Sequence, residues 1–130
     1  MRRRLTGLAA LALLCAITAC QPTFAEGGTL EAEVDGPMVR LTWPEVTPLN
    51  ENEPVVEFVL RVDGAEVSRP AGWTQGCILS GLDPEVTYEL TVVAVDSVGR
   101  LSEPLSAAVT TGPEPGESTE ISCNTAPPGM

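Results

Sequence analysis

Tyr88-Glu89-Leu90-Thr91-Val92-Val93-Ala94-Val95-Asp96 is the stretch that decides how this chain folds. In an extended chain Tyr88, Leu90, Val92 and Ala94 fall on one side, and Glu89, Thr91, Val93 and Val95 on the other. Apolar positions recurring every second residue, among β-branched neighbours, predict a strand with one face in a core. An amphipathic helix would repeat them every three or four residues.

The same alternation spreads outward from this strand. Leu30, Ala32 and Val34 alternate with Glu31, Glu33 and Asp35, and Val39, Leu41 and Trp43 alternate with Met38, Arg40 and Thr42. Val56, Phe58, Leu60 and Val62 share a face, and Asp63-Gly64 follows as a hairpin turn signal. Cys77 and Leu79 share a face before Gly81, and a last strand is expected from about Leu105 to Thr111. Pro44 to Pro54, rich in Pro, Asn and Glu, reads as a solvated loop. Downstream of residue 20 no segment shows a convincing helical period. Short strands separated by Gly, Pro, Asp and Asn predict an all-β, two-sheet sandwich.

Several strands carry a more specific pattern. Trp43 precedes the Pro-rich loop, Phe58-Val59-Leu60-Arg61-Val62-Asp63-Gly64 forms a strand and turn, and Leu82-Asp83-Pro84 is followed by Tyr88. Gly99, Ser102 and Pro104 come after the deciding strand. Together, over residues 27–112, these features resemble the fibronectin type III family. The resemblance implies an immunoglobulin-like sandwich in which Trp43, on the second strand, plugs the space between the sheets. It also implies that the Tyr88 hydroxyl turns back to the backbone near Leu82. Glu85 departs from the Gly usual after that Pro, and Phe58 stands where Tyr is common. The loop that carries an integrin-binding tripeptide in some members reads Ser97-Val98-Gly99-Arg100 and lacks it.

The N-terminus has its own logic. Arg2-Arg3-Arg4 precede a run from Leu5 to Ile17 that is apolar apart from Thr6 and Gly7. This run is shorter than the ~20 apolar residues a permanent span needs, and no acid appears before Glu26. It reads as an export signal. Ile17-Thr18-Ala19-Cys20 resembles the lipobox of bacterial lipoproteins, which implies a signal peptide over 1–19 and acylation of Cys20 as the first mature residue. The expected partner is then the membrane, reached through an N-terminal lipid anchor, with residues 20–26 as a short tether. Gln21 rather than Asp after the Cys implies outer-membrane or cell-surface sorting if the source has two membranes. The competing reading is ordinary cleavage after Ala25, behind Thr23-Phe24-Ala25, which gives a secreted protein.

Composition narrows the function. After Cys20 the chain has four Arg, no Lys and no His against eighteen acids, a net charge of −14. Such a surface repels phosphate backbones, so nucleic acid is excluded as a partner, and no polybasic patch assists the anchor. The length accommodates one modest core. Without His or Lys, the usual general bases and Ser-His or Ser-Lys pairs are missing. P-loop, dinucleotide and G-x-S-x-G patterns are missing too. No catalytic residue, cofactor or metal site is therefore expected. Glu51, Glu53 and Asp96 could attract calcium, but the D-x-[DN]-x-[DN]-G spacing is lacking.

Cys15 leaves with the signal, so Cys77 and Cys123 remain as an even pair in an oxidising compartment and are expected to form a disulfide. The alternative is a buried Cys77 thiol with Cys123 free or intermolecular. Cys123 lies in a Pro/Gly-rich tail, 113–130, that would otherwise be disordered. On the surface, Val55, Val59, Val93 and Val95 are expected to form one exposed apolar patch. Trp73, in Ala71-Gly72-Trp73-Thr74-Gln75-Gly76, is either an interface residue or a cover for the core edge. These features point to a non-enzymatic envelope lipoprotein whose module mediates extracytoplasmic protein interaction or surface adhesion. The alternatives are a carbohydrate- or peptidoglycan-associated accessory module and a structural subunit of an envelope complex.

Overall fold

The computed structural model describes residues 21–116 and 120–123. The expected signal peptide and the Cys20 lipidation site lie outside the described residues. What is described is all-β, and its strands are β1 (Thr23–Phe24), β2 (Glu31–Asp35), β3 (Met38–Thr42), β4 (Val46–Thr47), β5 (Val55–Val62), β6 (Ala65–Ser68), β7 (Gly76–Ser80), β8 (Thr87–Asp96), β9 (Leu105–Thr110) and β10 (Glu120–Cys123). One antiparallel sheet has the order β10-β7-β3-β2, the other β6-β5-β8-β9, and β1 pairs with β4.

The period of two is realised as one shared core. Val39 and Leu41 from β3 and Leu79 from β7 meet Phe58 and Leu60 from β5 and Leu90, Val92 and Ala94 from β8. Leu41, Leu60, Leu90 and Val92 are wholly buried. Trp43 is buried too, its ring centroid 5.2 Å from that of Phe58, and its indole N–H donates to the Thr74 carbonyl at 3.1 Å. Truncating such an aromatic costs ~3–5 kcal/mol in a close-packed core.

Turn chemistry fixes the register. Asp63 and Gly64 both have positive φ, 51° and 87°, the conformation a two-residue hairpin requires. Asp63 also accepts the Glu89 amide on its carboxylate at 2.8 Å. At the same end of β8, the Tyr88 hydroxyl accepts the Asp83 amide at 3.0 Å, as expected. Thr111, buried beside it, accepts the Val86 amide at 3.1 Å and donates to the Asp83 carbonyl at 2.6 Å.

Both ends of the described chain differ from the expected boundaries. Of the tether expected over 20–26, the described part is packed into the body: Pro22 is fully buried, Phe24 pairs with Val46 and its ring stacks on Phe58 at 6.4 Å. The two-residue pairing of β1 is too short to leave a periodic signal. In the tail, Glu120 to Cys123 form an edge strand on β7, and Cys123 lies directly opposite Cys77, to which it is disulfide-bonded. In the chain-entropy picture, closing the 46-residue separation contributes ~4 kcal/mol.

Candidate functional site

One end of the body gathers the loops that follow β4 and β8 with the segment between β6 and β7. The Ser97 amide donates to the Pro54 carbonyl at 2.9 Å, and the Gly72 amide to the Val56 carbonyl at 3.0 Å. The N-terminal segment joins the same end, where the Ala25 amide donates to Glu45 at 2.9 Å. A cavity of about 260 Å³ opens here, lined by Pro44, Glu45, Val46, Val55, Phe58 and residues 72–75.

The turn on its rim is rigid for a local reason. The Thr74 amide closes on the Ala71 carbonyl at 2.9 Å, and Gly72 lies so close to β5 that a Cβ there would sit 2.2 Å from the Val55 carbonyl oxygen. Only Gly fits. Trp73 is thereby held outward with 55% of its surface exposed. Next to it, Thr74 is 1% exposed, and its hydroxyl has no hydrogen-bond partner, alone in this among the buried side-chain polar atoms of the described residues.

A second constellation at the same end is fully satisfied. Asp96, also 1% exposed, accepts the Val98 and Arg100 amides at 3.1 and 2.8 Å and the Arg100 Nε at 2.8 Å. Arg100 also reaches the Glu53 carboxylate. Burial pushes the Asp96 carboxyl up, but the Arg100 amide and guanidinium and the Val98 amide outweigh it and hold it below the ordinary aspartate value. Asp96 and Glu53 are thus brought together around an Arg side chain, which leaves them poor candidates for the calcium site weighed above. No group of three or more potential metal ligands occurs among the described residues.

No protein-family model matches the chain, and no curated protein matches it. Among solved structures it is similar to the Clostridium perfringens spore cortex lytic enzyme SleM. The TM-score is 0.55 at 12% identity, over 69% of this chain and 28% of that one. The likeness bears on the fold alone.

The expected patch of Val55, Val59, Val93 and Val95 does not exist as an exposed surface. A bulge between Val55 and Glu57 shifts the register of β5 against β8. Val55 therefore turns inward to pack on the core, and Val56 is left 47% exposed. Val59, Val93 and Val95 do alternate with the core residues, yet each is buried. They lie on the two central strands of their sheet, with β6 and β9 on either side. On that face Arg69 binds Glu57 at 2.6 Å and Glu66 at 2.7 Å, tying β5 to the β6 edge. Trp73 stands as the exposed aromatic that the sequence offered. Thr74 was not foreseen, because nothing in the sequence signals that a threonine hydroxyl will be buried without a partner.

Proposed function

We propose that this chain is a non-enzymatic, lipid-anchored envelope module of fibronectin type III type, which works in extracytoplasmic interaction or adhesion at the end where its anchor enters. The observation that carries this reading is the position of Pro22 and Phe24. Pro22 is the first fully buried residue among the described ones, and only Gln21 lies between it and Cys20. Cleavage ahead of Cys20 keeps every packed residue, whereas cleavage after Ala25 removes the buried Pro22, the Phe24 ring and the β1–β4 pairing. Losing a buried Phe alone costs ~3–5 kcal/mol.

Other features support the same reading. The orders β2-β3-β7 and β6-β5-β8-β9, with the core Trp43 and the Tyr88 hydroxyl on the Asp83 amide, agree with the family resemblance. The Cys77–Cys123 disulfide suits an oxidising, exported location. One intervening residue extends at most ~3.6 Å, so the anchored end, with Trp73 on it, would stay close to the bilayer. A partner would therefore be met near the membrane plane.

Metabolic labelling with palmitate tests the anchor. Wild-type protein should take up label and fractionate with membranes, and Cys20→Ser should lose both while still folding. Label-free wild-type protein in the soluble fraction would remove the tether from this reading.

A further inference from the structure

Large apolar side chains are exposed unevenly over this molecule. Among the described residues Leu49, Val56, Trp73, Val98 and Leu101 are exposed at the end where the N-terminal segment packs, against Val34 and Val67 on β2 and β6. Hydrogen bonds and strand pairing draw the segments of the first five together. The Ser97 amide binds Pro54 and the Gly72 amide binds Val56, while Val55 pairs with Asp96 and Leu101 bridges Val95. Trp73, Val98 and Leu101 are each more than half exposed. Apolar residues scattered singly need no explanation, but their concentration at one end marks an interaction surface.

We propose that this end enters the headgroup layer of the membrane that carries the anchor, with Val98 and Trp73 as the inserted side chains. The proposal rests on acylation of Cys20, and it names the surface that the anchored end meets. The reach of the chain favours lipid as the occupant. Each headgroup layer is about 5–8 Å deep. Gln21, alone between Cys20 and the buried Pro22, extends at most ~3.6 Å. The first packed residues are therefore held at the depth of the headgroups. Thr23 in turn pairs with Thr47, two residues before Leu49, and the Ala25 amide binds the Glu45 carbonyl.

The loop that carries Val98 is prepared to lose water. Its four amides are bonded within the protein: Ser97 to the Pro54 carbonyl at 2.9 Å, Gly99 to the Asp96 carbonyl at 3.0 Å, and Val98 and Arg100 to the Asp96 carboxylate at 3.1 and 2.8 Å. Arg100, the cation of this loop, is held by Asp96 and Glu53. The tip, Ser97-Val98-Gly99, has no ionised side chain. Unbonded amides and free charges make a loop costly to bring into lipid, and here the amides and the charge are accounted for. In the neighbouring turn the Gly72 and Thr74 amides are bonded likewise, and Trp is enriched where hydrocarbon meets headgroups. The exposed acids Glu45 and Glu51 select the lipid. An anionic surface repels them, so a zwitterionic one fits this end.

The test couples the mature chain, 20–130, to a maleimide phospholipid in phosphatidylcholine vesicles, some of them made with brominated acyl chains. The Cys77–Cys123 disulfide leaves Cys20 as the one thiol to couple. Bromine quenches tryptophan on contact. Trp73 emission should be quenched, most strongly by bromines nearest the headgroup, and iodide should reach Trp73 less than in the uncoupled chain. Trp73→Phe leaves the buried Trp43 as a background that should not respond. Val98→Asp should lower the ratio of inserted to free protein about tenfold, part of the full cost of an acid at the bilayer centre. Its Tm should be unchanged, because the Val98 side chain is exposed.

A coupled chain whose Trp73 stays unquenched and open to iodide overturns the proposal and leaves this surface to a protein partner. So does quenching that Val98→Asp does not alter, or quenching that strengthens when phosphatidylglycerol replaces phosphatidylcholine. The link at Cys20 is made in vitro, so the result does not depend on acylation in the cell. Loss of palmitate label and loss of quenching are separate failures.

Discussion

Asp96 and Thr74 sit at the same end of the molecule, each 1% exposed, and they have opposite surroundings. Asp96 receives two amides and a guanidinium. The Thr74 hydroxyl receives nothing. The other two buried polar residues, Ser102 and Thr111, resemble Asp96: Ser102 accepts the Ala94 amide at 2.9 Å and donates to the Glu103 carbonyl at 2.9 Å. A fully bonded buried group ties a loop to its strand. An unbonded one costs stability that folding alone does not recover. The contrast separates the side of this end whose buried polar group ties the fold together from the side whose buried polar group does not.

The largest expected effect lies on the Asp96 side. Asp96→Ala leaves two amides and a guanidinium without their acceptor, and should cost ~3–5 kcal/mol in urea unfolding. If Thr74→Ala costs as much, the contrast fails. Acid titration sharpens it. The folded pKa of Asp96 lies below its unfolded value of about 3.9, so its contribution is present above about pH 4 and is lost as pH falls through the lower native pKa. Wild-type stability should therefore drop below pH 4, and Asp96→Asn should flatten that part of the profile.

Next in size is the disulfide. The double variant Cys77→Ala, Cys123→Ala should lose ~2–4 kcal/mol by releasing β10, and hydrogen exchange should quicken along β7 and β10 more than at the Val98 and Arg100 amides. Equal quickening at both would mean that the two sides do not open separately. Smaller again, Tyr88→Phe should cost about 1 kcal/mol by removing the acceptor for the Asp83 amide at the opposite end. That change should leave both Trp73 emission and the Asp96 pH dependence untouched. Smallest of all is Thr74→Val, neutral to mildly stabilising in unfolding, because it removes a buried group that has no partner.

The sequence made the core rows legible because a strand's period survives wherever the backbone is regular. Leu90, Val92 and Ala94 face the core, with Tyr88 packed on its margin, and Val39, Leu41 and Trp43 do the same across the gap. The reading broke where the backbone did. The bulge after Val55 inserted one residue, and the inferred face of the first part of β5 flipped with it, exchanging Val55 for Val56. Alternation assigned Val59, Val93 and Val95 to the outward face. It carried no information about how far neighbouring strands close over a central pair. β1 and β10 were missed because they are held by distant partners, Phe58 and Cys77, and their own patterns are too short to declare them. Trp73 was visible as a candidate by residue type. The state of the Thr74 hydroxyl depends on every neighbour it lacks, which no local pattern encodes.

A lipid-anchored chain that keeps Pro22 and Phe24 is the claim on which the rest stands, and the intact mass of protein taken from a membrane fraction without reductant tests it most directly. The account predicts residues 20–130 plus lipid, lighter by two hydrogens than the reduced form. An unlipidated chain starting at Glu26 would contradict it, since that protein would lack β1 and the Phe24 ring that close this end of the core.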